Sequence, residues 1–187
     1  SWMSRLGLKT DGSANGVTVL RQGWGVEPLT EGQAACVSTM SYNEYWVVRD
    51  AGYSPEQLTV FKYQSEGAAT LEDGLYVHEK NLSDAAFKDK MVRFVRASMK
   101  GWKYAEANPK EAAMIILDND DAGVQTEKHQ VRMMGEIAKL TAGSNGSLDP
   151  ADYERTVKVL MSGDSDPVIT KKPSGAWTNE ITNAALN

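Results

Sequence analysis

At 187 residues, with 41% hydrophobic and 24% charged side chains, the chain is long enough to bury a sizeable core. Its 20 Lys and Arg against 25 Asp and Glu leave a formal charge of −5 and no basic stripe, which excludes nucleic acid as an expected partner. No apolar run is long enough to span a bilayer, and the single Cys36 rules out an internal disulfide.

In chain order, residues 2–8 read as a helix tail stopped near Gly7, followed by a polar, Gly-rich loop to Gly16. The β-branched run Val17-Thr18-Val19-Leu20 predicts a buried strand ending in Gln22-Gly23-Trp24-Gly25. A short helix is expected over 27–35, with Pro28 in its first turn. Residues 36–40 then read as a second strand, with Cys36 as a small buried hydrophobe. A helix over 42–51 follows, with Tyr45 and Val48 inward and Gly52 as its stop. Ser54-Pro55-Glu56-Gln57 has capping-box spacing and leads into a third strand at 58–63. The first third therefore has β-α-β-α-β grammar, which predicts a mostly parallel sheet covered by helices.

After an extended connector and one more strand at 74–78, the pattern turns helical. Ser83 is the expected cap of a long helix with Phe87, Met91, Phe94, Val95, Ser98, Trp102 and Ala105 on one face. Asn108-Pro109-Lys110-Glu111 predicts a cap for the next helix, with Ala112, Ile115 and Ile116 inward. Thr126 begins another helix, carrying Val131, Met134, Ile137 and Ala138 on its inner side. Asp149-Pro150 begins a fourth, lined by Tyr153, Val157, Leu160 and Met161. A loop is expected over 163–175 and a last short helix over 177–186.

Few residues carry a chemical signature. Gln22-Gly23-Trp24-Gly25 would let backbone approach a ligand, but Pro28 stands where a dinucleotide fingerprint needs its third Gly. The stretch Ser38-Thr39-Met40-Ser41-Tyr42-Asn43-Glu44 is richer, since it places hydroxyl, amide, carboxylate and aromatic groups at an expected strand end. Asp118-Asn119-Asp120-Asp121-Ala122-Gly123 has a calcium-loop flavour, yet Ala122 and His129 stand where the fifth and twelfth ligands belong, so a helix-ending acidic loop is the reading. His78 and His129 are far apart in sequence and neither sits beside a nucleophile motif. No catalytic residue, metal site or cofactor is expected.

Four stretches together carry a resemblance: Gln22-Gly23-Trp24, Thr39 to Trp46, Ala69 to Val77 and Phe94 to Ala105. It continues through Asn108 to Ala113, Thr126 to Gln130 and Gly175 to Thr178. In these the chain resembles the periplasmic substrate-binding proteins of ABC transporters for nitrate, sulfonate, taurine and thiamine-pyrimidine-like compounds. The resemblance implies an α/β fold of the type II periplasmic-binding-protein kind, two-lobed around a cleft, N-terminally truncated here and with a largely helical C-terminal half. On that scheme residues 1–63 are the later part of the second lobe, 64–73 the crossover, and 74–187 the return segment completing the first lobe.

The implied function is a non-enzymatic solute-binding component of an ABC importer, holding a small polar organic nutrient in the interlobe cleft. Gln22, Gly23, Trp24, Thr39, Tyr42, Asn43, Glu44 and Glu66 are the ligand-binding residues carried over. The implied partner is a membrane permease, the implied compartment periplasmic or lipid-anchored outside the cytoplasm. Self-association, or association with a preceding segment, would cover apolar surface. The alternative is a thiamine-pyrimidine biosynthetic enzyme of the same fold, a chemistry tied to a Cys-rich iron site and a reactive Lys and His. Glu44 already weighs against a simple anion as the ligand, because like charges in a cleft repel.

Overall fold

The four long helices, between residues 85 and 161, stand close to where caps and periodicity place them. A computed structural model describes residues 2–162 and 167–186. Eight α-helices run in order among those residues: α1 Trp2–Arg5, α2 Glu27–Thr30, α3 Glu44–Asp50, α4 Ala85–Ala107, α5 Pro109–Asp118, α6 Glu127–Thr141, α7 Pro150–Met161 and α8 Glu180–Leu186. Two 3-10 turns, Pro55–Gln57 and Glu79–Ser83, lie between α3 and α4.

Capping residues set the boundaries. Thr126 Oγ1 accepts the His129 N–H at 3.3 Å to open α6, and Asp149 Oδ1 accepts the Ala151 N–H at 2.7 Å to open α7. At 55–57 the expected reciprocal bond forms, Ser54 N–H to Gln57 Oε1 at 2.8 Å. The start of α4 lies one residue beyond the expected cap: Asp84 Oδ1 accepts from Ala86 N–H at 2.9 Å, while the Ser83 hydroxyl turns back to the Lys80 carbonyl. Asn108 joins the two helices as expected: its side-chain amide donates to the Tyr104 carbonyl at 3.0 Å to close α4, and its carbonyl accepts the Ala112 N–H at 2.9 Å to open α5. The helix expected over 27–35 is the single turn of α2.

The C-terminal half is a helical unit. α5 packs on α6, and α4 lies against α5, α6 and α8. Its core is small: Ala112, Ala113 and Met134 are buried, with Ala105 and Val131 against them. The Ala side chains let α5 approach α6 closely. Ile115 and Ile116 lie exposed, against the expected inward face. Phe94 and Trp102 are likewise exposed, although Phe87, Met91, Val95, Ser98 and Ala105 share the covered side of α4. The connector runs along α7, where the Leu71 N–H donates to Thr156 Oγ1 at 2.9 Å and the rings of Tyr153 and Trp177 meet at 5.8 Å. Part of the expected loop, residues 163–166, lies outside the described residues; 167–175 is irregular.

The main correction concerns the strands. None of the four expected segments, 17–20, 36–40, 58–63 and 74–78, forms one, and among the described residues there is no strand at all. The α/β two-lobed architecture is therefore not what this chain adopts; the fold is helical with long irregular connections. The physical reason is pairing. β-branched runs become strands only when a neighbour supplies a ladder and a covered face. Here the clip between the first two segments is a side chain: Gln22 accepts the Ser38 N–H and donates to the Ser38 carbonyl, both at 2.9 Å. Val19 stays 67% exposed, Tyr76 82%, and Cys36 is exposed rather than buried. The accessible surface is 13280 Å², whereas a folded monomer of this mass would expose about 8,800 Å².

This distribution sets a contrast in mutational cost. Met134→Ala should lower unfolding free energy by about 2–4 kcal/mol, while Val60→Thr should stay within about 0.5 kcal/mol. Urea titration followed by helical circular dichroism distinguishes the two. A cost at position 60 equal to that at 134 would contradict the exposed, unpaired placement of Val60.

Candidate functional site

The turn before α3 gathers the densest polar cluster. Its backbone tightens through Asn43 N–H to the Met40 carbonyl at 3.2 Å, which brings the Glu44 side chain back over the turn. Glu44 Oε2 accepts the Met40 N–H at 2.7 Å and Oε1 accepts from Asn43 Nδ2 at 3.2 Å. Asn43 Oδ1 in turn meets His129 Nε2 at 2.7 Å, across 86 positions of sequence. Thr126 fixes that histidine by capping its backbone N–H in the first turn of α6.

The same face of α6 holds the far end of α3. Lys128 Nζ lies 3.0 Å from Asp50 Oδ1 and Arg132 lies 2.9 Å from Asp50 Oδ2. The Arg132 guanidinium also stands 4.9 Å from the Trp46 ring centroid, within cation–π range. Hydrogen bonds from the two cations hold the Asp50 carboxyl below its usual range. Tyr42 moves the other way: burial pushes its phenol up, and the negative charges of Asp73, Glu72 and Glu44 add to that. Three negative groups, Glu44, Glu72 and Asp73, thus act on the Tyr42 phenol.

The eight carried-over residues divide by place. Tyr42, Asn43 and Glu44 come together, half-buried, and His129 joins them. Gln22 is bound to the backbone of Ser38 and, at 3.3 Å, to the Gly25 carbonyl. Gly23 and Thr39 are exposed, and Trp24 projects a 99% exposed indole. Glu66 sits half-buried in the turn at 63–67, and among the described residues the hydrogen bonds of the Asn43–Glu44 cluster run to Met40 and His129. Two shallow concavities, about 510 Å³ at the start of α5 and about 340 Å³ beside Arg96 and Leu186, border none of these residues. The expected interlobe cleft is accordingly replaced by a surface cluster at the α3–α6 junction. His129 and Asp50 escaped sequence reasoning, because only the fold brings α6 against α3; the Thr126 cap was the one local signal that fixed where His129 would stand.

A family model described as NMT1/THI5 like matches residues 3–112, more than half of the chain and all of the 40–44 turn. The chain belongs to the NMT1/THI5-like family. That family includes solute-binding proteins of ABC importers and thiamine-pyrimidine biosynthetic members, and it is coarsely a family of small-molecule binders. No curated protein and no solved structure matches the chain. An iron site does not fit the residues present: Cys36 is the sole cysteine, and no group of three His, Cys, Asp or Glu side chains is placed to hold a metal among the described residues.

The Asp50 pairs give this junction a defined pH response. A carboxyl whose folded value is depressed contributes stability that is full above its unfolded value, about 3.9, and lost as pH falls through the folded value. Protection of the amides over 44–50, taken relative to the intrinsic exchange rate at each pH, should therefore fall in acid and at high salt, and Asp50→Asn should show the low protection already at neutral pH. Exchange in that variant equal to wild type would remove Asp50 from the junction.

Proposed function

We propose that this chain is the solute-binding component of an ABC importer, acting outside the cytoplasm, periplasmic or lipid-anchored, and passing its cargo to a membrane permease. The cargo is a small polar organic nutrient that offers hydrogen-bond donors or a positive group. The observation that carries the reading is the convergence of Tyr42, Asn43 and Glu44 on one turn inside the segment that matches the family. A carboxylate and a phenol among Glu72 and Asp73 suit an amino group and repel an anion. Tyr42 supplies an aromatic face for a planar ring.

Isothermal titration with the thiamine aminopyrimidine, taurine and nitrate tests this. The aminopyrimidine, or the ammonium end of taurine, should bind, nitrate should not, and Glu44→Gln should weaken binding by about tenfold or more. Tight binding of nitrate, with no response to the aminopyrimidine or to taurine, overturns the ligand class. Iron or pyridoxal-phosphate absorbance in the purified protein would favour the biosynthetic members instead.

A further inference from the structure

We propose that His129 is the positioning residue of this site: it fixes the Asn43 amide and, through it, the direction in which Glu44 presents its carboxylate. The inference rests on the solute-binding reading, but its geometry stands on its own. A carboxylate only accepts hydrogen bonds, so the 3.2 Å contact to Glu44 Oε1 must be made by the NH₂ of Asn43. A flipped amide would set oxygen against oxygen there. The amide oxygen then faces His129 Nε2 at 2.7 Å and likewise only accepts, so Nε2 carries the proton.

The chain of bonds thus has one polarity: imidazole to amide, amide to carboxylate, with the second carboxylate oxygen held by the Met40 N–H at 2.7 Å. In the neutral ring this leaves Nδ1 as an acceptor. Protonation of the ring adds a donor at Nδ1 and keeps the one at Nε2, so the bond to Asn43 survives either state. His129 lies beyond the segment that matches the family, in the capped first turn of α6. The orientation of the turn at 40–44 is therefore set by a residue from another part of the chain.

Two measurements on the full chain test this. Imidazole ¹⁵N shifts, recorded at a pH well above the usual imidazole range, should show His129 protonated at Nε2 and bare at Nδ1; protonation at Nδ1 overturns the proposal whether or not any solute binds. In titration with the aminopyrimidine, His129→Leu should weaken binding by about tenfold, and His129→Gln, which restores an N–H donor at the same reach, should return it to within about threefold of wild type. Wild-type affinity in His129→Leu overturns the positioning role while leaving solute binding intact. Equal loss in Leu and Gln variants overturns it too, since a residue that only fills space would not distinguish them. Should the wild-type chain bind none of the three probes, the solute reading fails, and the ¹⁵N shifts still decide the polarity of the chain.

Discussion

Among the described residues, the side-chain hydrogen bonds that tie α3 and its cap to α6 come from one carboxylate and one amide. Asp50 takes Lys128 and Arg132, and Asn43 takes His129, so both ends of α3 are tied to the first two turns of α6. The magnitudes are small. Half-exposed ion pairs are worth roughly 0.2–1 kcal/mol each, and a cation–π contact such as Arg132 over Trp46 adds about 0.5–1 kcal/mol. Together they approach the burial of a single large core side chain. Only Val48 of α3 is buried. The attachment of α3 is consequently polar in character, sensitive to salt and pH, and able to open without unfolding the α4–α5–α6 unit.

That unit persists for a different reason. α4 runs for 23 residues, α4 and α6 open on side-chain caps, and α5 starts at Pro109, so each helix is locally consistent before it packs. The core they share is built on two alanines and a methionine, which favours close helix approach over volume. Buried Gln130 shows the cost of that economy. Its amide donates to Gln125 at 2.6 Å, yet its own oxygen finds no partner among the described residues.

The sequence was legible where the information is local. The caps Thr126 and Asp149, the Ser54–Gln57 box and the inward Val131, Met134 and Val157 all follow from spacing within a turn or two. It misled where the outcome depends on a distant partner. Val17 to Leu20 and Leu58 to Tyr63 have strand composition, but composition cannot supply the neighbouring strand, and both stay irregular. Ile115 and Ile116 fit an inward stripe as well as Ala112 and Ala113 do; the close approach of α6 selects the small pair. In the candidate site, Tyr42, Asn43 and Glu44 were visible because they are contiguous. His129 and Asp50 were not, because their partners lie 86 and about 80 positions away.

Site and junction share a residue, and this links them thermodynamically. Asn43 belongs to the polar turn and also makes the bond that docks α3 on α6. On the proposed reading, a solute that prefers the docked turn would stabilise the dock by the same free energy with which the dock improves its affinity. With a docking energy of the order of a few kcal/mol most molecules are docked before any solute arrives, so closing the dock would take little from the apparent affinity of a solute. Weak polar attachment is thus compatible with recognition here: it leaves the turn preformed by Glu44 and Met40, while making the grip of α6 on it responsive to what the turn holds.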